Sequence, residues 1–590
     1  MAGGLLQLVA YGSQDLYLTG NPQITFFKVV YRRHTNFAIE SRRLDFTGTP
    51  NFSTTNTCNI LKGPDLLHKM YLDLRIDCGK MTCDSTSDLK AFRWLNWLGH
   101  VLLKKVTFFI GGSEIDRHDG EWLHIWNELT QKSEKSGAYS EMVGNVPLYT
   151  QIHTTNKTGT AYNIFDGTTD SFFIDLHIPL EFWFTKNPGL SIPLVALNHA
   201  DLTLEVEFRG IEDCIWATHE SSTNFRESVG AGIFTTIPAF SEAKIYADYI
   251  FLDTDERKRF AQSAHEYLIE KIQIGSVVSS LSQSQFTYNM NWSHPVKELI
   301  FVIRDQKYID NNYTQSRCGK QWYNYSTEFD YTGFTGTPEP HTGNGMCGHR
   351  TNQNLWNGMP SISLPYIENE FTPDLGETAA NNSSTKWLAG QTYTTSVATS
   401  NSNKTKMGYD RVKAYHTDTS GSGTLDNYSS RNVDRFLGAT SAVQHNSYTV
   451  TVATGMTIPA PYHGSWGASG TRMRMLDQGK NPVNKAKIII NSVDRAAERN
   501  GFYYNTIQPY QHHTNVPALG INVYSFGFTP EDHQPSGTCN FSRIDNSSIQ
   551  VTLDSAMHAD VTRTAQMKVY AVSYNILRIM SGTGQIAYSN

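Results

Sequence analysis

Apolar and polar residues alternate strictly from Leu202 to Phe208, with Leu202, Leu204, Val206 and Phe208 on one side and Thr203, Glu205 and Glu207 on the other. Ile549 to Leu553 repeats the alternation near the far end of the chain. A period of two belongs to strands with one face on a core and the other toward water. Helical periodicity is confined to short stretches, best at Phe26 to His34, Leu123 to Lys132 and Arg257 to His265. The pattern predicts an all-β protein with few, short helices.

Three local matches, in the same order along the chain, predict that one fold is written twice. Leu103-Lys-Lys-Val-Thr-Phe-Phe-Ile110 lies over Val296-Lys-Glu-Leu-Ile-Phe-Val-Ile303 without a gap. Lys244-Ile-Tyr-Ala247 matches Lys568-Val-Tyr-Ala571, and His34 to Glu40 resembles His265 to Glu270 with one residue missing. The expected organisation is an N-terminal arm at 1–24, a first β-domain at 25–252 and a second at 253–590. Asp253 to Phe260 connects the two. Residues 310–480 are crowded with Gly, Thr, Ser, Asn and Tyr, as in Thr417-Asp-Thr-Ser-Gly-Ser-Gly-Thr424, and lack sustained periodicity. Structureless connections beyond about 12–15 residues are rare in compact domains. This stretch is therefore expected to be a large surface excursion of the second domain with strands of its own.

Composition narrows the class. Hydrophobic residues make up 39% of the 590, enough for packed cores, while charged residues reach only 18% and aromatics 12%. The chain has 49 Lys+Arg against 55 Asp+Glu, a formal charge of -6. Wrapping nucleic acid by phosphate neutralisation needs a basic surplus, so direct nucleic-acid binding is not expected. Arg32-Arg33-His34, Arg42-Arg43 and Arg257-Lys258-Arg259 are local basic clusters, most simply solvated faces. Seven cysteines without a C-x-x-C pair do not form a disulfide framework and fit a reducing compartment. The start lacks the basic and apolar regions of a signal peptide, residue 2 is Ala rather than the Gly of a myristoylation site, and no apolar run nears the ~18 residues of a membrane span. A soluble, cytosolic chain is expected.

The search for chemistry yields little. Asp116-Arg-His-Asp119 puts two carboxylates and a histidine in four residues, but neighbours on a backbone point apart, and a polar turn entering a helix accounts for them. His512-His513 and Cys347-Gly-His349 lack a third ligand at zinc-like spacing. No phosphate loop, dinucleotide fingerprint or nucleophile elbow is present. No catalytic, metal or cofactor residues are assigned, and no cofactor is expected. Of the Asn-x-Ser/Thr triplets, Asn381, Asn382, Asn403 and Asn427 fall where the chain should be exposed and are the candidate glycan acceptors.

Four longer stretches carry a family resemblance. They are Gly20-Asn-Pro-Gln-Ile-Thr-Phe-Phe-Lys-Val-Val-Tyr-Arg-Arg-His-Thr-Asn-Phe37, Pro179 to Leu197, Leu252 to Ile269, and the pair Gln534 to Asp545 and Asn575 to Gly582. Together these resemble the major capsid proteins of the nucleocytoplasmic large DNA viruses, in the mimivirus- and algal-virus-like branches. The resemblance implies two tandem eight-stranded antiparallel jelly rolls. It also implies trimers of pseudo-hexagonal outline, because two similar domains taken three times give six corners. The implied partners are neighbouring capsomers, minor capsid and penton proteins, and an inner viral membrane. The implied setting is the virion, with synthesis and assembly in the host cytoplasm. The competing expectation is an all-β carbohydrate-binding protein or glycoside hydrolase, for which 11 Trp and 30 Tyr would serve as sugar platforms. A hydrolase would need two carboxylates ~5–9.5 Å apart in a cleft.

Overall fold

The computed structural model describes residues 3–81, 89–150, 153–154, 170–219, 234–281, 283–309, 320–327, 450–451, 457–458, 480–558 and 564–588. From Phe37 onward the chain forms β1 (Phe37–Thr47), β2 (Thr55–Asn59), β3 (Leu66–Asp77), β4 (Leu103–Ile110), β5 (Ser113–His118), helix α1 (Gly120–Thr130), β6 (Phe173–Pro179), β7 (Leu202–Phe208) and β8 (Ala239–Leu252). One sheet runs β1-β8-β3-β6 and the facing one β2-β7-β4-β5, with every pairing antiparallel. The end of β1 leaves the first sheet to pair Phe46 with Cys58 in the second.

The predicted alternation is what holds this sandwich together. Leu202, Leu204, Val206 and Phe208 are at most 2% exposed, and the residues between them are half-buried. Burying side chains of this size contributes up to about 2 kcal/mol each, before the entropy of ordering them is subtracted. Cys58, Cys78 and Cys214 lie in the same core as free thiols.

Helix α2 (Thr254–Gln262) follows, its first N–H bound by the Asp253 carboxylate at 2.8 Å. Beyond it come β9 (His265–Ile274), β10 (Gln285–Asn289), β11 (Pro295–Asp305), β12 (Val483–Ile490), β13 (Val493–Asn500), a short helix α3 (Gln508–His512), β14 (Ile521–Ser525), β15 (Ser547–Leu553) and β16 (Thr564–Met580). Their sheets run β9-β16-β11-β14 and β10-β15-β12-β13. Strand for strand this repeats the connectivity of the first sandwich, so the architecture is a jelly roll in tandem. The repeat reaches individual positions: Glu40 sits opposite Tyr249 where β1 meets β8, and Glu270 opposite Tyr574 where β9 meets β16.

Two expectations are corrected. The strands at 103–110 and 296–303 match in sequence but not in place. Leu103–Ile110 is β4, flanked by β7 and β5, whereas Val296–Ile303 belongs to β11, flanked by β16 and β14, the place β3 holds in the first sandwich. Buried strands share apolar composition, so a gapless match cannot say which sheet a strand joins. The other two matches do fall on equivalent strands: Lys244 to Ala247 in β8 with Lys568 to Ala571 in β16, and the starts of β1 and β9. The second correction concerns 26–34, which is a turn, a bend and chain without regular structure rather than a helix. Its β-branched and aromatic residues, Phe26, Phe27, Val29, Val30 and Tyr31, have low helix propensity.

The two sandwiches meet across α1. Trp122 and Trp126, and Ile125 and Leu129, repeat at four-residue spacing along the helix. They pack against Ile300, Val302, Ile521, Val523, Tyr570 and Val572 of the second sandwich. A helix apolar on so many sides has no face to spare for water, which is why it lies between two sheets.

Candidate functional site

The joint between the sandwiches is the most elaborated polar region among the described residues. Asp119 caps α1 by accepting the Trp122 N–H at 2.7 Å, and its other oxygen accepts from Lys568 at 2.6 Å. Lys568 also reaches Glu121 at 3.0 Å. Glu121 further accepts from Tyr570 at 3.0 Å and Tyr325 at 2.9 Å, with Arg304 at 3.5 Å. Burial pushes the Glu121 carboxyl up; the charges of Lys568 and Arg304 and the hydrogen bonds from Lys568 and Tyr325 outweigh it and bring it down to about 2. Glu121 is therefore a buried, fully satisfied anion shared between the halves.

Further contacts extend the joint. Glu270 pairs with Lys297 and, at 3.0 Å, with Lys186, whose ammonium lies 3.9 Å from the centre of the Trp126 ring. The Asn515 N–H donates to the Leu129 carbonyl at 2.9 Å, and the Ala518 N–H to Glu128 at 3.2 Å. Asp116, held by His118 at 3.0 Å, accepts the Ile272 N–H at 3.3 Å. An interface closed by charged groups on both sides loses much if one partner is removed, since the other is left buried and unpaired.

The residues weighed for chemistry are accounted for structurally. Asp116 and His118 end strand β5 as the buried pair just described, and Asp119 is the helix cap, so the cluster is a strand end running into a helix rather than the polar turn expected. His513 lies between two carboxylates, 2.9 Å from Glu298 and 3.0 Å from Glu531, and His512 faces the Phe528 carbonyl at 2.9 Å. Burial lowers the affinity of His513 for its proton, but the Glu298 and Glu531 carboxylates raise it to about 9, so the ring is a cation. Among the described residues no group of three His, Cys, Asp or Glu is placed to hold a metal ion. A cleft of about 690 Å³ lies beside β3 and β6, lined by Lys69, Tyr71, His177, Glu181, Lys186 and Asp248 among others, with no tryptophan. Cys347, His349 and the candidate acceptors Asn381, Asn382, Asn403 and Asn427 lie outside the described residues.

The joint itself is not foreseen by the sequence reading. Its one local signal is the pair of tryptophans at 122 and 126 beside a capping Asp119 and a first-turn Glu121. Their partners Arg304, Lys568 and Tyr570 are remote in sequence, and no pattern links them.

A second feature is an exposed arm. Between Leu5 and Tyr31 fourteen large apolar side chains are more than half exposed, among them Tyr17, Phe26, Phe27 and Tyr31 at 86–97%. Neither helix of the arm, Gly3–Val9 or Leu16–Thr19, buries a residue.

Comparison with known proteins follows the same division. A family described as large eukaryotic DNA virus major capsid protein matches residues 256–585, and one described as major capsid protein N-terminus matches 25–253. The major capsid protein of Phaeocystis pouchetii virus is 36% identical, with 100% of each chain covered. Capsid protein 1 of Acanthamoeba polyphaga mimivirus is 32% identical over the same full coverage. Among solved structures, a chain of the PBCV-1 virus capsid aligns over 96% of this chain and 100% of its own, with a TM-score of 0.54 at 23% identity. The Faustovirus major capsid protein aligns over 97% and 94%, with a TM-score of 0.55 at 11% identity. At these identities the structural matches speak to the fold.

Proposed function

The chain belongs to the major capsid protein family of the large eukaryotic DNA viruses, and on that premise we propose that it works as the repeating subunit of an icosahedral virion shell, assembled as trimers. Its role is structural, not enzymatic. The observation that carries the reading is the tandem jelly roll closed by a buried joint. Two like sandwiches fixed to one another supply two similar corners per chain, and three chains supply six, the outline that tiles a shell.

The energetics suit a building block. Permanent subunit interfaces run to ~2,000 Å² or more. Contacts between capsomers can each be weaker, because a closed lattice engages many at once. A formal charge of -6 on 590 residues limits repulsion between identical packed copies. We assign the first roll to 25–252 and the second to 253–590, with the 310–480 excursion, apart from 320–327 at the joint, on the outer end of the second. The partners are neighbouring capsomers, minor capsid and penton proteins and an inner membrane; assembly is in the host cytoplasm. Asn381, Asn382, Asn403 and Asn427 are the proposed glycan acceptors.

Electron microscopy of the purified protein with light-scattering mass tests this directly. Hexagonal-outlined particles of three chains are expected. A single-chain mass at every micromolar concentration refutes the trimer.

A further inference from the structure

We propose that the arm segment 24–34 adds as a strand to the open sheet edge β13 of a second copy of this chain, tying copies together. The inference rests on the self-assembling reading above and names the segment and surface that carry it.

The arm is built for burial that the described residues of its own chain do not provide. Ile24, Phe26, Phe27, Val29, Val30 and Tyr31 are 69–97% exposed. Between Ile24 and Tyr31 apolar residues fall at both even and odd positions, so the stretch, paired as a strand, would have no wholly polar side. Together with the apolar residues nearer the N-terminus it offers on the order of 1,500 Å² for burial, the scale of a specific interface. Among the described residues, no backbone N–H or C=O from Val29 to Thr35 is paired with another backbone group. β-branched and aromatic residues in chain free of regular structure are what strand addition uses, with main-chain bonds giving affinity and side chains giving selectivity.

That unpaired backbone also decides between partners. Non-helical chain cannot enter lipid without leaving its amides unsatisfied. Binding flat on a membrane needs an amphipathic helix, and 26–34 is not helical. A sheet edge satisfies the same groups. Charge favours this chain as the one offering it: residues 1–36 carry Lys28, Arg32 and Arg33 against Asp15, a balance of +2, so the remainder of the -6 chain carries -8.

Edge β13 is where a strand can be received. It ends the β10-β15-β12-β13 sheet, pairs among the described residues only with β12, and has seven of its eight residues exposed. The corresponding edge of the first sandwich, β5, is covered by β9 through the Asp116–Ile272 bond.

The test is amide hydrogen exchange on the full-length protein beside a Phe26→Ser/Phe27→Ser/Tyr31→Ser variant, with light-scattering mass on both. The three substituted side chains are 86–97% exposed, so the variant folds as the parent does. In the parent, exchange at 24–34 and at 493–500 should be slowed at least tenfold relative to the variant. Arm amides that exchange freely in a trimer overturn the inference and leave the trimer standing. Protection at 24–34 without protection at 493–500, or protection only after phosphatidylserine vesicles are added, overturns it too. A parent that is monomeric at every concentration removes the trimer, and the inference with it.

Discussion

Lys568, near the start of the last long strand, donates to Glu121 in the first sandwich at 3.0 Å, across 447 positions of sequence. Both groups are buried and both are held ionised by the other: burial works against the charge of Lys568, and Glu121 and Asp119 raise its affinity for the proton past that cost. Replacing Lys568 with Met leaves Glu121 the Tyr570 and Tyr325 hydroxyls and the more distant charge of Arg304. We expect a loss of about 3 kcal/mol in urea denaturation. A double-mutant cycle with Glu121→Gln should return a coupling of at least about 1 kcal/mol; a value below about 0.5 kcal/mol would mean the pair does not act across the joint.

The His513 cation sets the alkaline limit of stability. Its folded affinity for a proton, near 9, exceeds the ordinary 6.5. A group raised on folding contributes fully below its unfolded value and loses that contribution as pH climbs through its folded one. Melting temperature should therefore fall between pH 6.5 and about 9 more steeply in the parent than in His513→Gln. The two curves should converge by pH 10. Parallel curves over that window would show that His513 carries no proton between Glu298 and Glu531.

How much of this was readable in advance follows the range of the interactions. Alternation at Leu202 to Phe208 marked β7 because burial of alternate residues is local to a strand. The helix predicted at 257–265 begins instead at Thr254, since the Asp253 cap fixes its start more firmly than the apolar period does. The strand match between Leu103 and Val296 misled because pairing partners, not composition, decide a strand's place. The joint was invisible for a sharper reason. Glu121 looks like any first-turn carboxylate until β16 brings Lys568 and Tyr570 against it. The family stretches carried function, whereas the joint emerged only in three dimensions.

Acid sensitivity should begin with two buried histidines. His100 meets the Tyr139 hydroxyl at 2.8 Å, and His124 stacks on Tyr323 with ring centres 4.3 Å apart. Trp97 stacks on His100 and meets His124 edge-on, and Glu121 is the acidic group whose field reaches His124. Burial disfavours both cations, bringing His124 down to about 3 despite Glu121, and His100 well below its usual value, with the nearby His124 adding to the effect. The unfolded chain takes up these protons first, so stability declines as pH drops below 6.5. Depressed carboxylates such as Glu121 add their losses only below about 4.5. The window from 6.5 to 4.5 should flatten in a His100→Leu/His124→Phe variant, read as melting temperature against pH. An unchanged slope there would assign the acid response elsewhere.

The tandem repeat supplies its own control for the last prediction. Glu40 and Glu270 occupy the same place in the two sandwiches, each opposite a tyrosine of the long return strand, Tyr249 or Tyr574. Their surroundings differ. The Glu40 side chain is 53% exposed and paired with the exposed Arg42, while that of Glu270 is 6% exposed and holds Lys297, itself 2% exposed, together with Lys186. Burial raises the Glu270 carboxyl, and the two lysines bring it down to about 2. Glu270→Gln therefore strands a buried ammonium and should cost about 3–5 kcal/mol, with Lys186 losing its hold beside Trp126. Glu40→Gln removes only a solvated, salt-screened pair and should leave the unfolding midpoint where it was. Urea titration of both variants decides it. Equal effects would mean that strand position, rather than the buried contact with the first sandwich, determines what this carboxylate does. A large loss at Glu270 alone would show that the second copy of the repeat diverged where it had to meet the first.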